Sequence, residues 1–313
     1  MVETYDVVIV GAGAAGLTAA IYSGRKALKT LLVTGPNIGG ETNSTNDIRN
    51  YPGYEGPGPD LMKRFWEQAK KWGSEVRESL VLKVSRNDGL FNVELSEGGS
   101  VLSRSVILCY GRERRKLGIP GEDKFFGRGL STCTTCDAPL FPDKITAVIG
   151  GGNSGVEGAL ELARIAKKVY LIHRRDKFRA DEVTVEKARS EPKIEILTDT
   201  VPVEIKGDKF VEALIVKNVK TGELRELEVQ GVFSEIGWVT RTDMVEGLVE
   251  TNEVGEIVVD KFTRTKTPGL YACGDVTCIP YKQTVISAGM GAIAALDAYK
   301  FVTGSQASDE YSK

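Results

Sequence analysis

The chain has 313 residues, of which 41% are hydrophobic and 27% are charged, and its formal net charge is -2. This length provides for a large core and two domains, and the composition is that of a folded globular protein rather than a disordered or fibrous one. The near-neutral charge balance, with no tail of like charges, gives no sign of nucleic-acid binding.

The N-terminal segment YDVVIVGAGAAGLTAAIYSG is apolar, but no positively charged region precedes it as in a signal peptide. We find no uninterrupted apolar run that is long enough to span a bilayer, so we predict no membrane segment. The chain has 5 cysteines, and an odd number does not fit a disulfide framework of the secreted kind. These observations together predict a cytoplasmic protein.

The same N-terminal segment predicts a buried strand, a tight glycine turn and a helix of small residues. Gly11, Gly13 and Gly16 match the G-x-G-x-x-G pattern in the strand–turn–helix context that gives it meaning. The first glycine permits the turn, the second lets the backbone approach a pyrophosphate, and the third lets the helix pack on the strand. Because the amides of the helix N-terminus then face the phosphates, we predict a dinucleotide site here.

The next strand, LKTLLVTGP, ends at Thr34, where dinucleotide sites usually carry an acidic residue for the ribose hydroxyls. That acidic residue is missing from this chain. We expect Thr34, backbone groups or the polar loop GGETNSTN at residues 39–46 to take its place.

The stretch STCTTCDAPL holds Cys133 and Cys136 in a C-x-x-C pattern, with Asp137 directly after them. A zinc site needs about four ligands, and this pair would have to borrow Cys273 and Cys278, whose spacing differs. A purely structural disulfide would be opposed by the reducing pools of the cytoplasm. A redox pair that accepts two electrons and passes them on by thiolate attack suits a protein with nucleotide sites. We favour this redox interpretation and expect no metal.

A second strand, glycine turn and helix follow in ITAVIGGGNSGVEGALELARIAKKVYLIHRRDKFR. An acidic residue after the next strand would accept a hydrogen bond from a ribose 2′-hydroxyl, as in NAD binding. The arginines found there instead suit a 2′-phosphate, through their charge and their ability to donate two hydrogen bonds at once. An ordinary solvated run of charges is the alternative, since Asp176 and Lys177 lie nearby. The predicted NADPH site comprises Gly150, Gly152, Asn153, Ser154, Gly155, His173, Arg174, Arg175 and Arg179.

Near the C-terminus, TPGLYACGDVT predicts an apolar strand that ends at Gly274 and Asp275, and a helix of small residues follows. An aspartate just past a strand can accept hydrogen bonds from the ribityl hydroxyls of a flavin, and the helix N-terminus can stabilise negative charge on a reduced flavin. An isolated Gly-Asp pair is equally often a plain loop with a capping aspartate. Only the surrounding motifs can therefore distinguish a flavin site from such a loop.

The motifs occur in the order G-A-G-A-A-G, C-T-T-C-D, G-G-G-N-S-G, H-R-R-D-K-F-R, then G-D-V with K-Q-T-V-I-S-A-G. With this order the chain resembles, across essentially its whole length, the low-molecular-weight thioredoxin reductases, which are class II pyridine nucleotide-disulfide oxidoreductases. The resemblance implies an α/β fold of two Rossmann-like domains, the second inserted into the first. It implies an FAD-binding domain at residues 1–113 and 246–313, an NADPH-binding domain with the cysteine pair at residues 114–245, and a homodimer.

The activity implied by the resemblance is that of an NADPH-dependent flavoprotein disulfide reductase. Electrons pass from NADPH to FAD, then to the Cys133–Cys136 disulfide, and finally to a thioredoxin-like or glutaredoxin-like protein. The family assigns Cys136 to the flavin side and Cys133 to attack on the partner. It assigns Asp137 to proton donation to a departing thiolate, and an N-cap before Pro139 is the other use of Asp137.

Further cofactor contacts are implied by the resemblance alone. For FAD they are Ala14, Ala15, Gly35, Gly40, Glu41, Asn50, Val81, Gly111, Lys282, Gln283 and Thr284. For NADPH they are Ile236 and Gly237.

The chain departs from the family pattern at several positions. Cys109-Tyr110-Gly111 stands for the usual A-T-G, Gly39-Gly40-Glu41 for G-G-Q, and the crossing segment GWVTR at residues 237–241 for glycine-proline-asparagine. We predict that Cys109 is a small buried residue at a strand end, and nothing identifies a role for Cys278.

Three alternatives to a thioredoxin reductase remain. The flavoprotein of alkyl hydroperoxide reductase shares segments like CDAPLF and PYKQ, but that family carries extra N-terminal thioredoxin-like domains. A ferredoxin–NADP reductase of the same architecture lacks the cysteine pair. Outside the enzymes, a non-catalytic nucleotide-binding redox sensor is the alternative, and turnover with NADPH and a disulfide would separate it from a reductase.

Overall fold

The structure is a computed structural model that describes residues 3–45 and 48–305. The chain divides into two compact units. Unit 1 combines Met1–Glu113 with Val239–Lys313, and unit 2 is the continuous segment Arg114–Trp238. The return crossing thus lies at residues 238/239, whereas the sequence analysis expected it after residue 245. The assignment of FAD and NADPH to these units stays a prediction.

Each unit contains both strands and helices. Up to the first crossing they are β1 (Thr4–Val10), α1 (Ala14–Arg25), β2 (Thr30–Thr34), β3 (Ile48–Tyr51), β4 (Tyr54–Gly56), α2 (Gly58–Lys71), β5 (Glu75–Glu78), β6 (Val81–Asn87), β7 (Leu90–Leu95), β8 (Ser100–Leu108) and β9 (Glu113–Arg114). The inserted segment continues with α3 (Glu122–Phe125), β10 (Leu130–Ser131), α4 (Thr134–Asp137), β11 (Ile145–Ile149), α5 (Asn153–Ala163), β12 (Lys168–Ile172), α6 (Glu182–Ser190), β13 (Ile194–Leu197), β14 (Thr200–Lys206), β15 (Ala213–Asn218), β16 (Leu224–Glu228) and β17 (Gly231–Ser234). The return segment adds β18 (Trp238–Val239), β19 (Leu270–Ala272) and α7 (Thr284–Thr303).

The main sheet of unit 1 is centred on β1, which pairs in parallel with β2 on one side and β8 on the other. β8 has two further neighbours, because its first half pairs antiparallel with β7 and its end pairs in parallel with β19. The valine and leucine side chains of β2 are buried on both faces, as expected for a covered parallel strand. The carboxyl ends of β1, β8 and β19 therefore lie side by side, where the first glycine turn begins.

Helix α7 packs against α1 in the core of unit 1. The two helices approach so closely that a Cβ added at Gly291 would lie 2.1 Å from the Ala15 carbonyl oxygen. By length and apolar composition alone α7 could cross a membrane, which the sequence analysis overlooked, yet 50% of its apolar window is buried inside the protein. The small residues of α7 are therefore needed for this close helix contact.

Unit 2 contains a parallel sheet in the order β10-β17-β11-β12-β13. Helix α5 connects β11 to β12, and these strands pair in parallel register. A separate antiparallel sheet joins β14, β15 and β16. The mixed sheet of unit 1 and the parallel sheet of unit 2 each contain a parallel strand–glycine turn–helix segment, which confirms the predicted α/β fold with Rossmann-like units.

Candidate functional site

The first glycine turn leaves the start of α1 open to a ligand. Gly11 has a φ of +103°, and a Cβ added at Gly16 would lie 1.8 Å from the Gly11 carbonyl oxygen. Gly13 is the N-cap residue of α1, and no side chain caps this helix end. The space beside Gly13 is also open among the described residues. The first backbone N–H groups of α1 are therefore available to an external acceptor such as a phosphate.

The polar loop after β2 lies over this turn. The Gly39 N–H donates a hydrogen bond of 2.8 Å to the Ala12 carbonyl, and a Cβ at Gly40 would lie 3.3 Å from the Gly13 Cα. The Thr34 hydroxyl, by contrast, is buried and donates to the Gly35 carbonyl at 2.8 Å. Of the groups expected to replace the missing acid, the loop is the better placed, although Asn46 at its end lies outside the described residues.

The Gly-Asp motif after β19 reaches the same region of unit 1. Gly274 has a φ of +78°, and a Cβ there would lie 3.2 Å from the Ala15 side chain, in the first turn of α1. Asp275 accepts a hydrogen bond of 3.2 Å from the Ser287 hydroxyl, in the first turn of α7. The fold thus brings this motif beside the first glycine turn.

The start of α7 contacts both the polar loop and β3, the strand that follows it. The Asn50 amide donates to Gln283 Oε1 at 3.0 Å. The hydroxyls of Thr42 and Thr284 are 3.0 Å apart. The predicted flavin contacts Asn50, Gln283 and Thr284 are therefore held together within unit 1.

Four other predicted flavin contacts are placed as follows. Lys282 forms a largely buried ion pair of 3.0 Å with Glu256, a partner that the sequence analysis missed. Val81 is buried at the start of β6. Glu41 is exposed in the polar loop, and Gly111 has a φ of +70° with open space beside it among the described residues. The positive charge of Lys282 is thus already balanced by a carboxylate.

Cys133 and Cys136 are joined by a disulfide and are half-buried. Cys133 is the N-cap residue of α4, and the Cys136 N–H donates to the Cys133 sulfur at 3.2 Å. Because the two sulfurs are bonded to each other, they are not the metal ligands that the zinc alternative requires. A partly exposed disulfide can accept electrons and can be regenerated by thiol–disulfide exchange.

Ser131 connects Asp137 to the first cysteine. Its hydroxyl donates a hydrogen bond of 2.6 Å to Asp137 Oδ2 and accepts one of 3.1 Å from the Cys133 N–H. Asp137 also precedes a short 3-10 helix at Ala138–Leu140, but its side chain does not cap that helix. The sequence analysis missed Ser131, although a hydroxyl residue at a strand end just before the pair was a usable signal.

Glu235 holds the start of α4 from a second side. Its Oε1 atom accepts hydrogen bonds from the Thr134 N–H at 3.1 Å and from the Thr134 hydroxyl at 2.8 Å. Thr134 in turn packs over α5, where a Cβ at Gly158 would lie 2.7 Å from its hydroxyl oxygen. Helix α4 (the redox helix, which carries the redox pair) is thus fixed to the end of β17 by a carboxylate that the sequence analysis also missed, and to α5 by the packing of Thr134.

The second glycine turn repeats the geometry of the first. A Cβ at Gly155 would lie 2.6 Å from the Gly150 carbonyl oxygen, and Gly152 at the N-cap of α5 has open space beside it among the described residues. No side chain caps α5. Asn153 is held by Asp181, whose N–H donates to the Asn153 Oδ1 at 2.8 Å. The N–H groups at the start of α5 are therefore open, and Ser154 beside them is exposed.

His173 lies under this turn rather than at its surface. It is buried, its Nε2 atom donates to the Lys177 carbonyl at 3.0 Å, and it stacks on Phe178. A Cβ at Gly151 would lie 2.2 Å from the His173 Nδ1, so glycine is required there. Burial lowers the pKa of His173, and the nearby arginines lower it further. The hydrogen bond to the Lys177 carbonyl raises this pKa, but by less than burial lowers it. His173 is therefore a neutral packing residue at neutral pH.

Three exposed arginines follow His173. Arg174, Arg175 and Arg179 have no side-chain hydrogen bond or ion pair to another residue within the described ranges. The Arg179 N–H donates to the Gly151 carbonyl at 2.7 Å, which anchors this segment beside the glycine turn. Their guanidinium groups therefore offer positive charge next to the open N-terminus of α5. Ile236 and Gly237 lie just beyond β17, and Gly237 has a φ of +94°.

The family model for pyridine nucleotide-disulphide oxidoreductases matches residues 5–295. The chain belongs to this family. Membership implies a flavin and a pyridine nucleotide. The two glycine turns fit these groups, because each presents an uncapped helix N-terminus with room beside the N-cap glycine.

Several relatives in the family are similar over nearly the whole chain. The thioredoxin reductase of Peptoclostridium acidaminophilum is 38% identical over 310 residues, which cover 96% of this chain and 98% of that protein. The crystal structure of thioredoxin reductase from Streptococcus pyogenes MGAS5005 has a TM-score of 0.93 and 36% identity, covering 97% of this chain and 100% of that chain. An alkyl hydroperoxide reductase component of Xanthomonas campestris pv. phaseoli is 39% identical over 302 residues, which cover 95% of this chain but only 57% of that protein.

Proposed function

We propose that this protein is an NADPH-dependent thioredoxin-disulfide reductase. Its reducing equivalents pass through FAD to the Cys133–Cys136 disulfide and then to a disulfide of a thioredoxin-like or glutaredoxin-like protein. The observation that carries the proposal is the partly exposed Cys133–Cys136 disulfide in a chain with two open glycine turns.

The cofactor assignments rest on the side chains that lie beside each glycine turn. We assign FAD to the turn at Gly11–Gly16, because the Gly-Asp motif with Asp275 lies beside it and offers an acceptor for hydroxyl groups. We assign NADPH to the turn at Gly150–Gly155, since Arg174, Arg175 and Arg179 are exposed there. Bound FAD would supply two-electron transfer between a hydride donor and a disulfide.

The residues around the disulfide then have separate tasks. Two electrons and two protons convert the Cys133–Cys136 disulfide into two thiols, and Cys133 then loses its proton to become a thiolate. The Cys133 thiolate attacks the partner's disulfide, forms a mixed disulfide and displaces one partner thiolate. Cys136 attacks the Cys133 sulfur and releases the second partner thiolate, while Asp137 donates a proton to a departing thiolate and Ser131 holds the Asp137 carboxyl in place.

A turnover assay tests this proposal. The purified flavoprotein should oxidise NADPH over many turnovers when a thioredoxin-like disulfide protein is supplied. Cys133→Ser and Cys136→Ser should each abolish turnover, whereas Cys278→Ser should retain it because Cys278 has no assigned part. Flavin reduction without any transfer to disulfides would contradict the proposal and favour the sensor alternative.

A peroxide pathway is the second candidate, favoured by the identity to the alkyl hydroperoxide reductase component. This chain spans about half of that protein's length. Adding a thioredoxin-like carrier with a thiol peroxidase and a hydroperoxide distinguishes the candidates. Peroxide consumption that requires the carrier supports the proposed reductase, and consumption without it supports the second candidate.

We further propose a cytoplasmic homodimer, which rests on the resemblance to the family. Sedimentation analysis of the flavin-loaded protein tests the dimer. A single monomeric species across a wide concentration range would refute it.

A further inference from the structure

A second pair of cysteines lies in the core of unit 1. The sulfur atoms of Cys109 and Cys273 are 3.1 Å apart, although the two residues are not bonded. Cys109 has 5% of its surface exposed and Cys273 has 0%. The prediction that Cys109 is a small buried residue at a strand end is thus correct, but its partner was not foreseen. None of the steps proposed above uses these thiols.

The pairing of two strands brings the cysteines together. β8 and β19 run in parallel with Leu108 opposite Ala272, and each cysteine is the next residue along its strand. The Cys273 N–H donates to the Leu108 carbonyl at 2.9 Å, so the register continues to this point. Neighbouring strands lie about 4.8 Å apart, within the Cα separation of about 4.4–6.8 Å that a disulfide spans. The backbone therefore needs no rearrangement for a bond to form.

The surroundings restrict which reagents can reach the pair. The Cys109 side chain lies against Gly16, at 3.3 Å from the Cβ which that glycine would carry, beneath the first glycine turn. Burial raises the pKa of the Cys109 thiol, and the neighbouring Cys273 raises it further. The Cys109 thiol is therefore mostly protonated, and burial shields both thiols from bulky disulfides, which leaves small two-electron oxidants as reagents.

We propose that Cys109 and Cys273 are a second oxidisable pair, which a hydroperoxide closes into a structural disulfide within unit 1. One thiolate attacks the peroxide oxygen, breaks the O–O bond and becomes a sulfenic acid. The other thiol attacks that sulfur and expels water. With hydrogen peroxide, two thiols and one peroxide give one disulfide and two waters. This proposal does not rest on the proposed function, since it needs neither NADPH nor a protein partner.

The bond would link the two segments from which unit 1 is assembled. Cys109 precedes the inserted unit 2, and Cys273 lies in the segment that returns after it. Closing such a long loop restricts the unfolded chain more than a short loop does. Oxidation should therefore raise the thermal midpoint of unit 1, by about 5 °C or more.

The test uses a chain in which only these two cysteines remain. Cys133→Ser/Cys136→Ser/Cys278→Ser is treated with hydrogen peroxide, unfolded in the presence of an alkylating reagent and weighed as an intact chain. We expect loss of both alkylation sites, a mass about 2 Da below that of the unalkylated chain, and a peptide pair cross-linked through Cys109 and Cys273. The same variant with Cys109→Ala is the matched control, and it should show neither the cross-link nor the thermal shift.

Peptide mapping of the peroxide-treated wild-type flavoprotein gives the decisive outcome if the multiple variant does not fold. The Cys109–Cys273 peptide pair should appear there too, beside the Cys133–Cys136 peptide. The proposal is overturned if both residues stay fully alkylatable at a peroxide dose that oxidises Cys278. It is also overturned if they accumulate as sulfinic acids without a cross-link.

Discussion

The Ser131 hydroxyl donates a hydrogen bond of 2.6 Å to the carboxylate of Asp137. It also accepts from the Cys133 N–H, so one buried side chain orients the proposed proton donor relative to the first cysteine. Asp137 is thereby held by the last residue of β10, the strand that precedes the redox helix. A carboxyl held in this way is positioned to donate a proton to the same sulfur atom in every turnover.

We predict that Ser131→Ala lowers turnover with a disulfide protein by about threefold to tenfold, because one charge-assisted hydrogen bond is lost. Asp137→Asn should lower it more, since the proton donor itself is removed. Neither change should slow flavin reduction by NADPH, which stopped-flow absorbance measures separately.

Ser234→Ala is the matched control for the loss of a serine hydroxyl. The Ser234 hydroxyl is buried in unit 2 and has no hydrogen-bond partner among the described residues. Its removal should leave turnover unchanged. If Ser131→Ala behaves like this control, Ser131 does not position Asp137.

Glu235 should affect the reduction potential of the cysteine pair. Its carboxylate accepts two hydrogen bonds from Thr134, next to Cys133, so its negative charge disfavours a thiolate there. Glu235→Gln keeps an acceptor for Thr134 but removes the charge. We predict that the potential of the Cys133–Cys136 couple rises by about 10–30 mV, as measured by redox titration against a thiol–disulfide buffer.

Glu228→Gln controls for a general loss of negative charge, because Glu228 is exposed at the end of β16 in the separate antiparallel sheet. It should leave the potential unchanged. A potential of Glu235→Gln that equals the wild-type value would show that the carboxylate only anchors the helix.

The exposed arginines should set the choice of nucleotide. Replacing Arg174 and Arg175 by alanine should weaken NADPH binding about tenfold to a hundredfold or more, while NADH binding changes little. Arg225→Ala is the control, since that guanidinium pairs with Glu195 at 2.7 Å. Titration of flavin reduction with each nucleotide measures both affinities, and equal losses for the two would refute the 2′-phosphate assignment.

His173 should make the protein less stable in mild acid. Its pKa is lowered in the folded state by burial, so the unfolded state binds more protons as the pH falls through about 6.5. Protonation of unfolded chains then favours unfolding, and stability decreases toward low pH. His173→Gln removes this contribution, so its thermal midpoint should change less between about pH 7.5 and 5.5 than that of the wild type. The carboxylates are the same in both proteins, and identical pH profiles would contradict the assignment.

The sequence was informative wherever a short pattern determines a local structure. Gly11, Gly16, Gly150 and Gly155 occur at spacings that require a close backbone approach, and the structure has these approaches. The C-x-x-C pattern likewise has a single local pairing. These features depend on residues that are near one another in the chain, which is why they could be predicted.

Long-range pairings could not be predicted in the same way. Glu235 reaches Thr134 only because β17 lies beside β11 and β10 in the sheet. Cys109 meets Cys273 because of the register between β8 and β19, which no single segment encodes. His173 follows the buried strand β12, and its ring packs beneath Gly151, a contact that the sequence pattern did not indicate; its predicted contact with a nucleotide stays a prediction.

The two redox cysteines should behave differently when they are replaced singly. By resemblance, Cys136 is nearer the flavin and Cys133 attacks the partner. Cys136→Ser should therefore keep the ability of Cys133 to form a mixed disulfide with a thioredoxin-like protein. Both variants should still let NADPH bleach the flavin, because hydride transfer uses neither thiol.

The absorbance spectrum of oxidised Cys133→Ser tests the central claim most directly. A Cys136 thiolate beside oxidised flavin should give a long-wavelength charge-transfer band, which Cys136→Ser should lack. A band in Cys136→Ser instead would reverse the two roles. If neither variant shows a band and both still turn over disulfide substrates, electrons do not pass through the Cys133–Cys136 pair, and the proposed reductase mechanism is wrong.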